Sequence, residues 1–280
     1  ADDLGQYLSG EQVDAVAMAI RNIENGGALI LGDQTGIGKG RVVAAVIRYA
    51  VKQGLTPVFV TEKPTLYGDM IRDLTDIGSE SIKPLITNSG ESVPLDDDAL
   101  DWYGEAEKAR LEDRPVPKKR GRFLETKAGP EHNALLKRAA DSGNLAGHHV
   151  IFTTYNQMHT VKGQTTARHD LLRRFANNGI VIFDESHNAG GAGKVETDDK
   201  GEVKFDRAQF ARQLARDAKG LLYSSATFAK RPEVMDLYFR TELGNAVGNL
   251  AELSEITQKG GVPMQQVIAS MLAEAGQYVR

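Results

Sequence analysis

Short, unbroken apolar runs alternate along the chain with longer stretches in which apolar side chains recur at helical spacing. From Leu8 to Ile23 that spacing is kept by Val13, Val16, Ile20 and Ile23 behind Ser9, a natural N-cap, and Asn25-Gly26-Gly27 stops it. Ala28-Leu29-Ile30-Leu31 then reads as a buried strand. After a glycine-rich turn, Arg41 to Gln53 carries Val42, Val43, Val46, Ile47 and Ala50 at helical period; Gly54 ends it, and Pro57 precedes the strand Val58-Phe59-Val60. Strand, loop, helix, strand in this order predicts a βαβ unit, hence a parallel sheet with a right-handed crossover. Further buried strands are expected at Leu85-Ile86-Thr87, Val150-Ile151-Phe152-Thr153, Ile180-Val181-Ile182-Phe183 and Leu221-Leu222-Tyr223. Helical stretches separate most of them. The expected fold class is α/β, a mainly parallel sheet sandwiched by helices.

Two segments break the pattern. Residues 88–148 pass from an acidic half (Glu91 and Asp96 to Glu107) to a basic one (Lys108 to Arg122), and read as an inserted, partly helical segment. Residues 189–207 are glycine-rich and charged, a loop or small hairpin. The division expected is one lobe over 1–230 and a helical extension over 231–280, whose last helix starts near Pro263 and carries the stripe Met264, Val267, Ile268, Met271 and Leu272. The chain starts without methionine and stops at Tyr278-Val279-Arg280, inside what reads as a helix. A piece of a longer protein is the expectation.

Composition narrows the class only slightly. The 280 residues are 41% hydrophobic and 26% charged, with no cysteine, so disulfides and thiolate chemistry are excluded. No apolar run approaches the ~18 residues of a membrane span, and the N-terminus lacks a signal peptide's layout; no membrane partner and an intracellular location are expected. The net charge of −4 means that any nucleic-acid binding must use local patches rather than bulk charge.

The chemistry concentrates in two places. Gly32-Asp33-Gln34-Thr35-Gly36-Ile37-Gly38-Lys39-Gly40-Arg41 lies between a strand and a helix, where backbone N–H groups and the helix dipole favour a phosphate. Glycines let the backbone approach, and Lys39 supplies a compact positive charge for the β- and γ-phosphates. Binding of the nucleotide is expected along Gln34, Thr35, Gly36, Ile37, Gly38, Lys39, Gly40 and Arg41. Asp33 stands where such loops often have glycine, and Gly40 stands where a Ser/Thr hydroxyl usually ligates Mg²⁺; water, Thr35 or another carboxylate must fill that gap. The second place is Asp184-Glu185-Ser186-His187, directly after a buried strand and so at the strand ends where α/β sheets bind ligands. Asp184 is expected to hold Mg²⁺ through its water shell, Glu185 to orient and deprotonate the attacking water, and His187 to link the γ-phosphate site to other motifs. Ser225 and Thr227, in Ser224-Ser225-Ala226-Thr227 after another strand, are placed to hydrogen-bond the acidic motif. Gln12 has two readings: an amide contact to adenine, or the capping box of Ser9-x-x-Gln12.

The ordered set Gln12, GDQTGIGKGR, VTEKP at 60–64, FTTYNQ at 152–157, DESH at 184–187 and SSAT at 224–227 resembles the first RecA-like lobe of superfamily-two helicases and Swi/Snf-type translocases. Gly after Lys39, FDESHNAGG and SSATFAKRPEVMDLYFR look like the Strawberry notch family and its phage and bacterial relatives. The resemblance implies a RecA-like P-loop domain, ATP and Mg²⁺ as cofactors, catalysis by Lys39, Asp184, Glu185 and His187, and contact with nucleic acid (DNA rather than RNA) through Lys63, Thr154 and Tyr155. It also implies a second RecA-like lobe from the rest of a parent chain, without which turnover should be weak. Two rivals remain: a degenerate ATP-sensing scaffold, with Gly40 as its telling feature, and another P-loop enzyme such as a small-molecule kinase. The basic run 108–122 reads either as a DNA-facing arm or as solvated surface.

Overall fold

The structure, a computed structural model, describes residues 4–32, 38–161, 163–190, 196–197, 203–204, 207–228 and 231–279, with the backbone alone at 196–197, 203–204 and 250–251. Helix α1 (Gly10–Glu24) starts at Ser9, whose hydroxyl accepts from the Gln12 N–H while the Gln12 side chain accepts from the Ser9 N–H. Strand β1 (Ala28–Leu31), helix α2 (Lys39–Lys52), strand β2 (Val58–Thr61), helix α3 (Leu66–Asp76) and strand β3 (Pro84–Ile86) follow. Then come β4 (Ser92–Pro94), α4 (Asp97–Leu111), β5 (Phe123–Glu125) and α5 (Gly129–Ser142). The chain continues through β6 (Val150–Thr154), α6 (Ala167–Ala176), β7 (Ile180–Asp184) and the two-residue strands β8 (Glu196–Thr197) and β9 (Val203–Lys204). It closes with α7 (Arg207–Asp217), β10 (Gly220–Ser224), α8 (Leu243–Ala246), α9 (Leu250–Glu274) and β11 (Tyr278–Val279).

Seven strands form one sheet in the order β11-β1-β10-β7-β2-β6-β3, every neighbouring pair parallel. Helices cover both faces, which is why the strands read as continuous apolar runs rather than as alternation. Ile30, Val60, Val181 and Tyr223 point to the layer of α5, α6, α7 and α9; their neighbours Leu31, Phe59, Ile182 and Leu222 point to α1, α2 and α3. All six expected strands are present. No helix among the described residues is long and apolar enough to cross a membrane.

The expected helical end is corrected. Helix α9 stops at Glu274, Gly276 turns the chain at φ 69°, and Tyr278 and Val279 pair with Ile30 and Leu31. The Ile30 and Gly32 N–H groups donate to Gln277 and Val279 carbonyls at 2.8 Å each, so the outer edge of β1 is covered rather than left open. Gly32 allows this approach: a Cβ there would overlap the Tyr278 ring. Within α9 the backbone breaks at Gly261 (φ 54°, ψ −146°), and Pro263 opens the second half as its position predicts. Of the stripe, Ile268 and Leu272 are buried while Val267 is exposed.

The segment 88–148 is only partly an excursion. Strands β4 and β5 form an antiparallel pair bridged by α4, but Leu136 and Ala139 of α5 belong to the core under the sheet. The acidic half folds back on the basic half. Arg120 makes two 2.9 Å bonds to Glu105, Arg122 bonds Asp96, and Lys119 pairs with Glu125. Much of the basic run's charge is thus neutralised locally. In 189–207, β8 and β9 form the small hairpin.

Candidate functional site

The register of the sheet aligns one residue from each strand along its C-terminal edge. Leu31 at the end of β1 is level with Ser224 of β10, and Ser224 with Asp184 of β7. Beside Phe183, Val60 leads to Thr61, which is level with Thr154 of β6. Two strand spacings, roughly 10 Å, therefore separate the strand that delivers the glycine-rich loop from Asp184. Lys39 opens α2 behind Gly38, whose left-handed backbone (φ 68°, ψ 55°) favours glycine. The Lys39 charge favours the ionised forms of Asp184 and Glu185 and disfavours protonated His187, so the lysine turn and the acidic motif share one site. Asp33, Gln34, Thr35, Gly36 and Ile37 lie outside the described residues.

Asp184 is held by two hydroxyls. Thr61 Oγ1 donates to its carboxylate at 2.8 Å, and Ser224 donates as well. Burial still pushes its carboxyl from 3.8 up to about 6, opposed by those two bonds and Lys39 and aided by Glu185. Behind it, the Tyr155 hydroxyl donates to the Asp184 carbonyl at 2.8 Å, and the Tyr155 ring stacks on Phe183. Glu185 sits at φ 47°, ψ 48°, a conformation that costs a non-glycine residue free energy and throws its side chain out of the strand line. Burial raises its carboxyl too, with Lys39 opposing and Glu62 adding to the rise. His187 Nδ1 lies 2.8 Å from Ser225 Oγ and 3.4 Å from Glu185. Burial, then Arg231, hold its imidazole below the usual histidine range, which favours the neutral ring at neutral pH.

The residues present suit magnesium. Among the described residues no group of three or more His, Cys, Asp or Glu could cage a metal. Magnesium needs no such cage, because it binds through one or two carboxylates with phosphate oxygens and retained waters. Asp184 offers a hard carboxylate oxygen at a strand end, with the Lys39 charge acting on it.

Several expectations change. Gln12 forms the capping box, and its Nε2 would lie 2.5 Å from a Cβ on Gly38, so it packs against that glycine. Ser225 reaches the acidic motif as expected, whereas Thr227 enters through its backbone N–H, which donates to Ser225 Oγ at 3.2 Å. Thr154 and Tyr155 are both 2% exposed; Tyr155 supports Asp184 through its hydroxyl, and Thr154 hydrogen-bonds Tyr67. Lys63 is exposed and lines a shallow cleft with Tyr103 and Glu107. Thr61 and Ser224 were not singled out by sequence. A small polar residue ending each neighbouring strand was the only available signal.

The family described as P-loop containing NTP hydrolase pore-1 matches residues 4–280. Protein strawberry notch of Drosophila melanogaster is 24% identical over 266 residues, 89% of this chain and 13% of that protein. Protein strawberry notch homolog 1 of Rattus norvegicus is 22% identical over 290 residues, 98% of this chain and 19% of that protein. The chain thus spans a fifth or less of those relatives. Among solved structures, the Sulfolobus solfataricus SWI2/SNF2 ATPase core in complex with dsDNA superposes with a TM-score of 0.54 at 12% identity, covering 99% of this chain and 45% of that one. That likeness shows a shared RecA-like α/β fold.

Proposed function

Since the chain belongs to the P-loop containing NTP hydrolase pore-1 family, we propose that it is the ATP-binding and ATP-hydrolysing lobe of a DNA translocase or helicase-like motor. The observation that carries this reading is the shared site of Lys39 with Asp184 and Glu185 at one sheet edge. Lys39 and the α2 N-terminus hold the β- and γ-phosphates, with Gly38, Gly40 and Arg41 in the turn around them. Asp184, oriented by Thr61 and Ser224, holds the water shell of Mg²⁺. A magnesium ion held there would supply positive charge against the charge that develops on the phosphates. Glu185, thrown clear of the strand, orients and deprotonates the attacking water. His187 passes the state of that carboxylate to Ser225 and the turn that follows β10. For Gln12, an adenine contact would have to compete with the capping box.

DNA binding draws support from the solved SWI2/SNF2 relative, captured with dsDNA. Of the expected contact residues only Lys63 is exposed to meet a strand. Because the relatives are at least five times longer, a second lobe from the parent chain is proposed to close over the nucleotide. It would supply arginines worth about 10³–10⁵ in rate in related NTPases. The 280 residues alone should bind ATP and turn over weakly. The test is Glu185→Gln. A hydrolase loses turnover and keeps ATP affinity; a degenerate sensing scaffold, the reading that Gly40 favours, changes in neither.

A further inference from the structure

Position 40 is the anomaly of the loop, since the residue after the lysine normally offers magnesium a hydroxyl. The structure explains why no side chain stands there. A Cβ built on Gly40 would overlap the Asp73 carboxylate, with Cγ at 2.7 Å and Oδ1 at 3.1 Å. Asp73 comes from the last turn of α3, a helix packed along α2, and its carboxylate fills the place a side chain at position 40 would take. A serine at position 40 would have to displace that carboxylate, so Gly40 and Asp73 are two halves of one arrangement.

Among the described residues, Asp73 also makes no hydrogen bond or close ion pair through its carboxylate. The cations around it are engaged elsewhere, Arg72 with Asp69 and Arg41 with Asp76 at 3.1 Å. Arg72 and Arg41 therefore act on Asp73 only through their charge. Burial pushes its carboxyl from 3.8 up to about 6, Arg72 opposing and Asp76 and Asp69 adding to the rise. A part-buried, unpaired carboxylate is costly, and the cost falls when a cation arrives.

We propose that the Asp73 carboxylate replaces the hydroxyl missing at position 40 and, with Asp184, holds the water shell of the magnesium ion that accompanies the nucleotide. The assignment rests on the ATP-binding reading above and adds a metal-positioning residue to it. It makes Gly40 a permissive partner of Asp73 rather than a mark of degeneracy. A carboxylate in place of a hydroxyl adds a full negative charge to the site, which suits a hard divalent ion. A purely structural Asp73, favoured only by the α2 dipole, would affect stability and not the metal.

The experiment titrates Mg²⁺ into the 280-residue chain with a fluorescent ATP analogue, for the parent, Asp73→Asn, Asp73→Ala and the double variant Asp73→Ala/Gly40→Ser. Thermal denaturation runs alongside. Asp73→Asn and Asp73→Ala should each need about tenfold more Mg²⁺ to reach half-saturation, the usual cost of losing a group that orients a metal's ligands, with nucleotide affinity in EDTA changed by less than about twofold. The double variant, which trades the carboxylate for the missing hydroxyl, should recover most of the loss. An unchanged Mg²⁺ midpoint in both single variants overturns the assignment and leaves the ATP reading standing. A parent whose nucleotide binding ignores Mg²⁺ overturns both.

Discussion

Replacing the expected magnesium ligand should make the nucleotide-free protein more stable. Asp184 is placed among apolar strands, and burial lifts its carboxyl from 3.8 to about 6. At about 1.4 kcal/mol for each tenfold change in proton affinity, keeping it ionised at pH 7.5 costs the folded chain roughly 3 kcal/mol. The sign follows from the raised value. Below pH 3.8 the group is protonated in both folded and unfolded chains and costs nothing; above about 6 it is ionised in both and the whole cost is present. Asp184→Asn removes the charge while its amide oxygen still accepts the Thr61 hydrogen bond. Some of the gain is lost because the amide N–H₂ faces Ser224, leaving a stabilisation of about 1–3 kcal/mol at pH 7.5 that shrinks towards zero near pH 4. Urea denaturation of both proteins between pH 4 and 8 measures it. Adding Mg²⁺ and ATP should narrow or reverse the gap, because the ligand binds the parent more tightly and so stabilises it more. A variant that is less stable at pH 7.5, or whose gain does not vary with pH, would refute the claim that Asp184 is a strained, cation-seeking carboxylate.

Other outcomes follow from the same contacts. Gly32→Ala drives a methyl into the Tyr278 ring, so it should destabilise by about 1–3 kcal/mol in thermal melts, and Tyr278→Ala should remove most of that penalty. Tyr155→Phe leaves the Asp184 carbonyl without its buried donor and should cost about 1–2 kcal/mol in chemical denaturation; no change would contradict its role as a support. Neutralising Lys119 and Arg120, already paired with Glu125 and Glu105, should leave the salt dependence of DNA binding unaltered, whereas a slope reduced by about two would restore the DNA-facing arm.

The sheet was legible in the sequence because parallel strands buried on both faces announce themselves as apolar runs, and all six such runs became strands. The two-residue strand β11 carried no such signal. Tyr278-Val279 is a strand only because β1 offers an open edge next to it. The insertion misled for a related reason: charge dominates its composition, yet Leu136 and Ala139 of α5 fill core space under the sheet. At the site, Lys39 and the Asp184-Glu185 pair could be read from loop and strand context. What surrounds them could not. Thr61 and Ser224 reach Asp184 through strand register, Asp73 reaches Gly40 through helix packing, and Tyr155 is buried with its hydroxyl on the Asp184 carbonyl. Local pattern marks the groups that act, and tertiary register selects the groups that hold them.

The central claim is that the lysine turn and the acidic strand end enclose one magnesium–triphosphate unit. A crystal structure of the chain with Mg²⁺ and a non-hydrolysable ATP analogue tests it most directly. The account predicts the Lys39 ammonium on β- and γ-phosphate oxygens and the Asp184 carboxylate on the magnesium's waters. A nucleotide bound elsewhere, or a magnesium ion with Asp184 turned away from it, would contradict it.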